Sequence, residues 1–384
     1  MFRTVTSFVC AAAVTTAIAV AQSEPAIVTA ARTQDTGAVR ALAGKADANA
    51  RATDGSTALL WAAHWNDLES ADLLLKARAD ANLANEFGMT PLSQACTNGS
   101  AELVRLLLKS GANPNLAVAT GETPLMTCSR TGAADAARLL LEFGAAVDAK
   151  EPNQNQTAIM WAAAERHPEV VKALIEAHAD VKARSKQGFA PIHFAARVGD
   201  LESVKALLAA GVDVNMLTAD AAPGRGGGGN GYTPLLVATL RAQVDVALYL
   251  LDHGADPNNM ASGMTPLHWA STSWEGYASN PVYGFEDPMS GIQDRQAKLK
   301  LVKALIAHGA NVNARMTKRQ PSFATGYTDG VGATPFLLAA SVDWARDRKA
   351  THVEVSVHAF NKDARRFYEG FGFQPSIDRL MLAA

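Results

Sequence analysis

Residues 88–115 read "GMTPLSQACTNGSAELVRLLLKSGANPN" and contain the clearest structural pattern of the chain. Thr90 is followed by proline, a pair typical of a helix start, because the threonine side chain can accept a backbone N–H bond and proline suits the first helical turn. The leucine spacing in "LVRLLLKSG" predicts a second helix that ends at Gly111, since glycine is a common helix C-terminal signal. The stretch therefore predicts two short helices followed by a turn back.

This unit recurs along the chain, in segments such as "STALLWAAHWND", "ETPLMTCSRTGA", "FAPIHFAARVGD" and "MTPLHWASTS". The anchor residues that start the copies are Thr57, Thr90, Thr123, Thr157, Ala190, Thr233, Thr265 and Thr334. Successive anchors lie 33, 33, 34, 33, 43, 32 and 69 residues apart, and a weaker copy begins near Pro25. A single unit cannot bury its apolar face, so the sequence predicts a stack of units with one continuous core.

The stretch quoted above and the later "LVKALIAHGANVNA" resemble the ankyrin repeat, and the resemblance covers about residues 25–343. It implies an all-α solenoid of about eight to nine repeats, with short hairpin-like turns that project from one edge. It also implies protein binding, because the family as a whole has no catalytic centre. We therefore expect no cofactor, and we expect the partner to be another protein.

The composition excludes several other classes of partner. With 35 Lys and Arg against 37 Asp and Glu, the chain has no cationic excess for a nucleic-acid surface. The histidines and cysteines are scattered, without spacing that converges on a metal ion. Cys96 and Cys128 fall in equivalent helices of neighbouring repeats, whose axes should lie ~8–10 Å apart, so we expect two small core residues and no disulfide.

The first 21 residues have the pattern of a secretory signal. Arg3 precedes an apolar run, and the small residues Ala19, Val20 and Ala21 form a cleavage site. The alternative is an uncleaved membrane anchor, but the run is shorter than the ~20 residues that a span requires. We therefore expect a periplasmic or secreted protein that is not inserted in the membrane after cleavage.

Three segments break the period and produce the two long gaps between anchors. The first, "ADAAPGRGGGGN" around Gly226, is predicted to be a flexible loop, because no Lys-Ser or Lys-Thr pair follows that would suit a phosphate cradle. The second, around Trp274, is rich in aromatic residues and is either a binding loop or a flap packed on the solenoid. The third lies just before Thr334.

The resemblance implies that partners contact the turn tips and the exposed positions of the inner helices. The residue before the anchor is Met or aromatic in four of seven copies, and arginines recur seven and eight positions after the anchor. Such side chains often carry interface energy. The predicted partner-binding residues are Met89, Phe189, Tyr232, Met264, His64, Trp65, Arg130, Arg197, Arg241 and Trp274. The alternative is that these side chains only cover one another along the concave face.

Other prominent residues of the inner helices have structural interpretations. His193 and His268 match the recurring histidine of the ankyrin repeat, which implies a bond to the turn and not a metal ligand. Four aromatic residues that follow the anchor by four positions are predicted to belong to the core: Trp61, Trp161, Phe194 and Trp269.

The chain after residue 343 has a different pattern. Residues 355–373, "VSVHAFNKDARRFYEGFGF", predict a strand, then Asn361, then a helix that contains Ala364, Phe367 and Tyr368. Residues 344–382 resemble the C-terminal part of a GNAT-type N-acetyltransferase. The resemblance implies a small α/β fragment in which Asn361 contacts the acetyl-CoA arm and Tyr368 protonates the leaving thiolate.

Most of that enzyme is missing from the sequence. The only candidate for its pyrophosphate-binding loop is "YTDGVGA", which has Tyr327 where the family has Gln or Arg, and the substrate-binding strands are absent. Three accounts stay open: a fusion scar, which we favour, a tail that docks as a makeshift cap, or an acetyltransferase completed by another chain. The first two predict a poorly protected C-terminal end and little loss of stability on deletion from Trp344 onward.

The sequence therefore predicts three parts: a signal at residues 1–21, an ankyrin-repeat solenoid at 25–343 and a GNAT-like fragment at 344–384. The predicted function is a non-enzymatic scaffold that binds a protein through its turn tips and concave face. The alternative is an N-acetyltransferase that uses acetyl-CoA through Asn361 and Tyr368.

Overall fold

The computed structural model describes residues 24–218, 231–271, 294–318 and 332–335, together with the dipeptides at 354–355 and 380–381. These residues form sixteen helices that come in consecutive pairs along the chain. The first helices of the pairs are α1 (Ala26–Arg32), α3 (Ala58–His64), α5 (Pro91–Thr97), α7 (Pro124–Thr131), α9 (Ala158–Ala164), α11 (Pro191–Val198), α13 (Pro234–Leu240) and α15 (Pro266–Ser271). The second helices are α2 (Thr36–Leu42), α4 (Leu68–Lys76), α6 (Ala101–Lys109), α8 (Ala134–Glu142), α10 (Pro168–Glu176), α12 (Leu201–Ala209), α14 (Val244–Asp252) and α16 (Arg295–Ala307).

The helices lie in two layers. Each first helix contacts the first helix of the next pair, from α1 to α15, and each second helix contacts the next second helix, from α2 to α16. The two helices of a pair also contact each other. Buried side chains from both layers form one continuous core, as the repeats predicted. The described residues are therefore a helical solenoid in which every pair depends on its neighbours.

The helix starts confirm most of the predicted caps. Four anchors accept a hydrogen bond from the backbone N–H three residues on, at 3.1 to 3.3 Å: Thr57, Thr90, Thr123 and Thr233. Thr157 makes no such bond among the described residues, and Ala190 has no side-chain oxygen for one. The predicted helix end at Gly111 is confirmed, since this residue follows α6 with the left-handed φ of +90°.

Small residues let neighbouring first helices approach each other. Ala62 and Ala63, the pair that follows Thr57, are fully buried, and Cys96 and Cys128 are buried in α5 and α7, one register position apart. Both cysteines are buried free thiols, as predicted. Burial, together with the neighbouring Cys128, raises the pKa of the Cys96 thiol well above its ordinary value. The Cys96 side chain therefore packs as a small apolar group.

Asparagine side chains connect the turn after most second helices to the corresponding turn of the next repeat. In the example of Asn82, Oδ1 accepts from Asn113 N at 2.7 Å and Nδ2 donates to Gly111 O at 3.0 Å. We call this pair of bonds an asparagine rung. Five residues make it: Asn49, Asn82, Asn115, Asn215 and Asn258. Each rung satisfies two backbone groups and ties two repeats together.

The rungs are interrupted in the middle of the solenoid. Asp148 occupies the position after Asn115 and accepts from Asp180 N at 2.8 Å, but a carboxylate cannot donate the second bond. Lys182 occupies the next position, and its ammonium group cannot accept from a backbone N–H. The connection between neighbouring turns is therefore weaker around Asp148 and Lys182 than on either side of them.

The turns that lead into the first helices, which we call fingers, include one that contains residues 219–230. At the base of this finger, Thr218 N donates to Tyr232 O at 2.9 Å. His193 accepts from Ala190 N through Nδ1 at 3.2 Å, and its Nε2–H donates to Met216 O at 3.0 Å and to Tyr232 O at 3.2 Å. One imidazole thus holds together the two sides of the finger base. These bonds do not depend on the length of the finger beyond the base.

His268 does the same for the finger that precedes Thr334. Its Nδ1 accepts from Thr265 N at 3.0 Å, and its Nε2–H donates to Ala333 O at 3.2 Å, while Met316 N also donates to Ala333 O. The prediction that both histidines bond the turn is confirmed. Both rings are fully buried, and burial lowers the pKa of each from 6.5 to about 4.

Several predicted features lie outside the described residues: the signal at 1–21, the segments around Gly226 and Trp274, and most of the fragment at 344–384, including Asn361 and Tyr368. The described part of that fragment is β1 (Glu354–Val355), which pairs antiparallel with β2 (Leu380–Met381). Its α/β character stays a prediction. Within the described ranges, none of the helices is long and apolar enough to cross a membrane.

Replacing Asn82 by alanine is expected to lower the free energy of unfolding by about 1–2 kcal/mol, because Asn113 N–H and Gly111 C=O lose their shared partner. Lys182→Ala removes no rung and is the matched control, whereas Lys182→Asn supplies both groups of a rung and should raise stability. Urea denaturation followed by circular dichroism measures all three variants. Equal losses in Asn82→Ala and Lys182→Ala would contradict a stabilising role for the rungs.

The two buried histidines predict a loss of stability in acid. Their folded-state pKa of about 4 lies below the ordinary 6.5, so their contribution is complete above pH 6.5 and declines as the pH falls toward 4. The full difference corresponds to roughly 3 kcal/mol for each ring. Denaturant unfolding at a series of pH values should show this slope, and His193→Gln should reduce it. An unchanged slope in His193→Gln would show that this ring does not titrate as described.

Candidate protein-binding surface

Backbone hydrogen bonds join neighbouring fingers edge to edge. Glu86 N donates to Asp54 O at 3.0 Å, Ala119 N donates to Phe87 O at 3.1 Å, and a similar bond of 2.8 Å joins two later fingers. The fingers approach so closely that a Cβ on Gly88, whose φ is +73°, would lie 2.7 Å from Ala119 N. These fingers form a hydrogen-bonded strip, which we call the finger strip, and their tips are fixed in position by the fold.

A buried carboxylate shapes the finger that is one residue longer than its neighbours. Glu151 is almost fully buried and accepts from the backbone N–H groups of Asn153, Gln154 and Gln156 at 2.6, 2.8 and 3.0 Å. Asn155 takes the extra position with a left-handed φ of +54°. This arrangement accommodates the 34-residue spacing between Thr123 and Thr157 without displacing the following helix.

The residues that precede the anchors are less exposed than predicted. Met89, Phe189 and Tyr232 are half-buried, whereas Met264 is fully buried. The prediction of an exposed partner contact is therefore wrong at Met264, whose side chain is buried beside the buried Thr265. Burial also raises the pKa of the Tyr232 phenol. The side chains of this row are only partly available to a partner.

Phe189 begins a row of contacts that runs from a finger base along α11. Its ring centroid lies 5.9 Å from that of His193 and 6.0 Å from that of Phe194, and the Arg197 guanidinium lies 5.3 Å from the Phe194 ring centroid. Phe194 is buried, as predicted for the core, while Phe189 and Arg197 keep part of their surface exposed. These side chains do cover one another, and they still present an aromatic and cationic surface.

A second aromatic cluster lies at the end of α3. The His64 ring centroid is 5.5 Å from that of Trp61 and 4.6 Å from that of Trp65. The Trp65 side chain is 42% exposed, and its Nε1–H donates to Arg32 O at 3.0 Å. Asn98 Nδ2 donates to His64 O at 3.0 Å from the next repeat. The structure therefore holds His64 and Trp65 in a fixed, partly exposed arrangement.

The predicted core aromatics differ in their burial. Trp269 is buried, as predicted, but Trp61 and Trp161 are half-buried against the core. The indole N–H groups of Trp61 and Trp161 are buried and have no acceptor among the described residues. The rings therefore contribute both to the core and to the surface of the first-helix layer.

The predicted arginines lie at the ends of three first helices. Arg130 is exposed, with its guanidinium 3.9 Å from the Glu122 carboxylate, and its carbonyl bonds the His167 ring at 3.0 Å. Arg197 and Arg241 occupy similar positions and are half-buried. At such exposure the contact with Glu122 contributes little to stability. Arg130 is therefore available for a partner, while Trp274 lies outside the described residues.

Phe87 is the exposed residue that the sequence prediction missed. Its side chain is 70% exposed at a finger tip, three positions before the anchor Thr90. The corresponding residues of other described fingers are polar: Asp54, Thr120, Gln187 and Ser262. A comparison of the tip positions, rather than of the positions next to the anchors, would have identified it. Phe87 adds a large apolar side chain to the finger strip.

No metal site is found on the described part of the chain. No group of three or more His, Cys, Asp or Glu side chains could hold a metal ion there. A cavity of about 700 Å³ lies beside the turns between first and second helices, lined in part by Arg166, Asp245, Asp294 and Lys300. Its charges are mixed, and the Lys300 ammonium lies 3.8 Å from the Asp245 carboxylate.

The repeats match a known family along most of the chain. The family model for ankyrin repeats (three copies) matches residues 27–118, 66–151, 116–185, 146–218 and 192–279, and the model for a single ankyrin repeat matches residues 262–317. Among solved structures, the chain is similar to the human ASB11 ankyrin repeat domain, with a TM-score of 0.50 and 25% sequence identity. This similarity covers 67% of this chain and 96% of that one.

Two curated relatives are similar over shorter stretches. The B-cell lymphoma 3 protein homolog of Mus musculus is 32% identical over 121 residues, which are 30% of this chain and 25% of that protein. Protein PhlB of Serratia liquefaciens is 33% identical over 116 residues, which are 30% of this chain and 47% of that protein. The chain thus covers less than half the length of either relative. On the family models, this chain belongs to the ankyrin-repeat family.

Proposed function

We propose that this chain binds another protein through the finger strip and the exposed ends of its first helices, and carries out no chemistry itself. The observation that carries the proposal is Phe87, a 70%-exposed aromatic side chain at the tip of a hydrogen-bonded finger. An aromatic ring on a fixed backbone buries a large apolar area on binding and loses little conformational freedom. Ankyrin repeats are typically protein-interaction scaffolds, which supports the same function.

Two further patches support the proposal. His64 and Trp65 are partly exposed at the end of α3, and Phe189 and Arg197 are partly exposed along α11. Both patches are fixed by contacts with the solenoid and combine rings with nearby polar or cationic groups. This is the composition that carries most of the binding energy in protein interfaces. We propose that they contact the partner beside Phe87, with Met89, Tyr232, Arg130 and Arg241 at the margins.

We also propose that the partner lies in the periplasm or outside the cell. The support is the apolar run and the small-residue cleavage site that ends at Ala21, both of which belong to the sequence outside the described residues. The finger strip does not depend on this location. An exported scaffold would meet envelope or extracellular proteins and not cytosolic ones.

Acetyl-CoA is expected not to bind the mature chain, because the sequence lacks the pyrophosphate loop and the substrate strands of the acetyltransferase alternative. Calorimetric titration of acetyl-CoA into the mature chain, beside a version that ends at Asp343, is the measurement. No heat is expected from either protein. Saturable binding that disappears on truncation would mean that Asn361 and Tyr368 belong to a site, and it would overturn the non-enzymatic part of the proposal.

Phe87→Asp is expected to weaken binding of a partner captured by the mature chain by roughly tenfold or more, because it places a charge in an apolar contact. Phe143→Asp is the matched control, since Phe143 is also an exposed aromatic residue (42%) but follows the second helix α8. Surface plasmon resonance gives the affinities, and thermal unfolding checks that both variants stay folded. An unaffected Phe87→Asp variant, or an equal loss in Phe143→Asp, would contradict the proposed surface.

A further inference from the structure

The last described second helix, α16, exposes more of its apolar face than the earlier second helices do. Val302 is half-buried, whereas the corresponding residue is fully buried in six earlier second helices: Ala71, Val104, Ala137, Val171, Val204 and Ala247. Ile306 is 48% exposed, whereas none of its equivalents is exposed: Leu108 and Leu251 are buried, and Leu75, Leu141, Ile175 and Leu208 are half-buried. Leu299, which precedes Val302 by three positions and Ile306 by seven, is 45% exposed on the same face. We call Leu299, Val302 and Ile306 the α16 stripe.

The described residues 332–335 already belong to the start of the next repeat. Ser271 Oγ donates to Pro335 O at 3.0 Å, and Met316 N donates to Ala333 O at 3.0 Å, so the start of the next first helix lies beside α15. In the earlier repeats the second helix begins eleven residues after the anchor, as Thr90 and α6 show. The second helix that would cover the α16 stripe should therefore begin at residue 345.

In that register the sequence lacks the apolar residues that the earlier second helices bury. In the repeat of Thr90, the residues 13, 14, 17 and 18 positions after the anchor are Leu103, Val104, Leu107 and Leu108, all of them buried. The same positions after Thr334 hold Asp347, Arg348, Thr351 and His352. Burying these charged and polar groups against an apolar stripe would cost more free energy than the contact contributes. The cover for α16 must come from elsewhere.

Residues 360–371 have the helical spacing of apolar residues that residues 345–353 lack. Phe360, Ala364, Phe367, Tyr368 and Phe371 follow one another at 0, 4, 7, 8 and 11 positions, which places them on one face of a helix. The charged residues of the segment fall mostly on the other side. About 25 residues separate Pro335 from Phe360, more than enough to reach the stripe at ~3.3 Å per residue.

The strand pair restricts where this segment can go. Glu354 pairs with Met381 and Val355 with Leu380, so the two ends of residues 356–379 are held side by side. We propose that residues 360–371 dock as an amphipathic helix on the α16 stripe and take the place of the missing second helix. Solenoids need a terminal unit that covers the last apolar face and turns a polar face to solvent. In this proposal residues 360–371 provide the terminal unit, although they lie beyond the positions where the repeat spacing places the second helix.

Hydrogen exchange of the full chain tests the proposal. Phe367→Asp should speed the exchange of the α16 amides by roughly tenfold or more and leave α3 to α6 unchanged, because only the last pair loses its cover. Arg366→Asp places the same carboxylate one residue away, on the polar side of the segment, and should leave α16 as protected as in the unaltered chain. Equal exchange of α16 in all three proteins would overturn the proposal.

The same measurement distinguishes the tail from a second copy of the chain. Cover by a second copy would make the protection of α16 rise with protein concentration and remain in Phe367→Asp, and this result would overturn the proposal. Protection that is independent of concentration and lost in Phe367→Asp supports it. The partner-binding fingers take no part in this contact, so either outcome leaves the proposed function untouched.

A disulfide cross-link gives a second test that does not depend on stability. Ile306→Cys combined with Phe367→Cys should form an intramolecular disulfide under mild oxidation, detectable by peptide mass spectrometry. The native Cys96 and Cys128 are buried and should not compete. Lys300→Cys combined with Phe367→Cys is the control, because Lys300 faces Asp245 of α14, away from the stripe. Equal cross-linking in both pairs would contradict docking on this face.

Discussion

The contact between neighbouring repeats is the constraint on which the rest of the structure depends. A helix pair of this chain is too small to bury its own apolar side chains, so α5 and α6 acquire a core only between the pairs on either side. Small residues such as Ala62 and Cys96 set how closely the first helices approach. Asparagine rungs and finger-to-finger hydrogen bonds then connect the segments that lead from one helix pair to the next. The stability of the solenoid, the arrangement of its exposed surface and the need to cover its ends all depend on this contact between repeats.

The binding surface follows because the same bonds that join repeats also fix the fingers. Phe87 O accepts from Ala119 N, so the most exposed aromatic side chain of the strip stands on a backbone that is held by the next repeat. His193 and His268 hold the bases of the fingers that carry insertions in the same way. Each ring bonds both the repeat it belongs to and the base of the following finger. An insertion can therefore vary without disturbing the helices beneath it.

The sequence predicted those features that are encoded within one repeat. The helix pairs, the caps at Thr57 and Thr90 and the helix end at Gly111 depend on residues a few positions apart, and the structure confirms them. Burial of the cysteines was predictable from their place in neighbouring helices, and the turn bonds of the histidines from the resemblance to the ankyrin repeat. Each of these is a local property that the spacing of residues displays directly.

Features that depend on the neighbouring repeat were missed or wrong. The asparagine rungs join residues about thirty positions apart, and the sequence showed them only as turn residues. Met264 was expected to be exposed but is buried beside Thr265, whereas Phe87 was overlooked because its position only stands out when finger tips are compared. The sequence analysis did not identify Glu151, whose carboxylate accepts from three backbone N–H groups of its own finger.

A hydrogen-exchange footprint of the complex shows whether a partner protein binds the fingers and first helices. The mature chain is compared with and without its captured partner. The account predicts slower exchange in the fingers around Phe87 and Phe189 and at the ends of α3 and α11, with the second helices unchanged. Slower exchange confined to the second helices, or to no part of the solenoid, would contradict it.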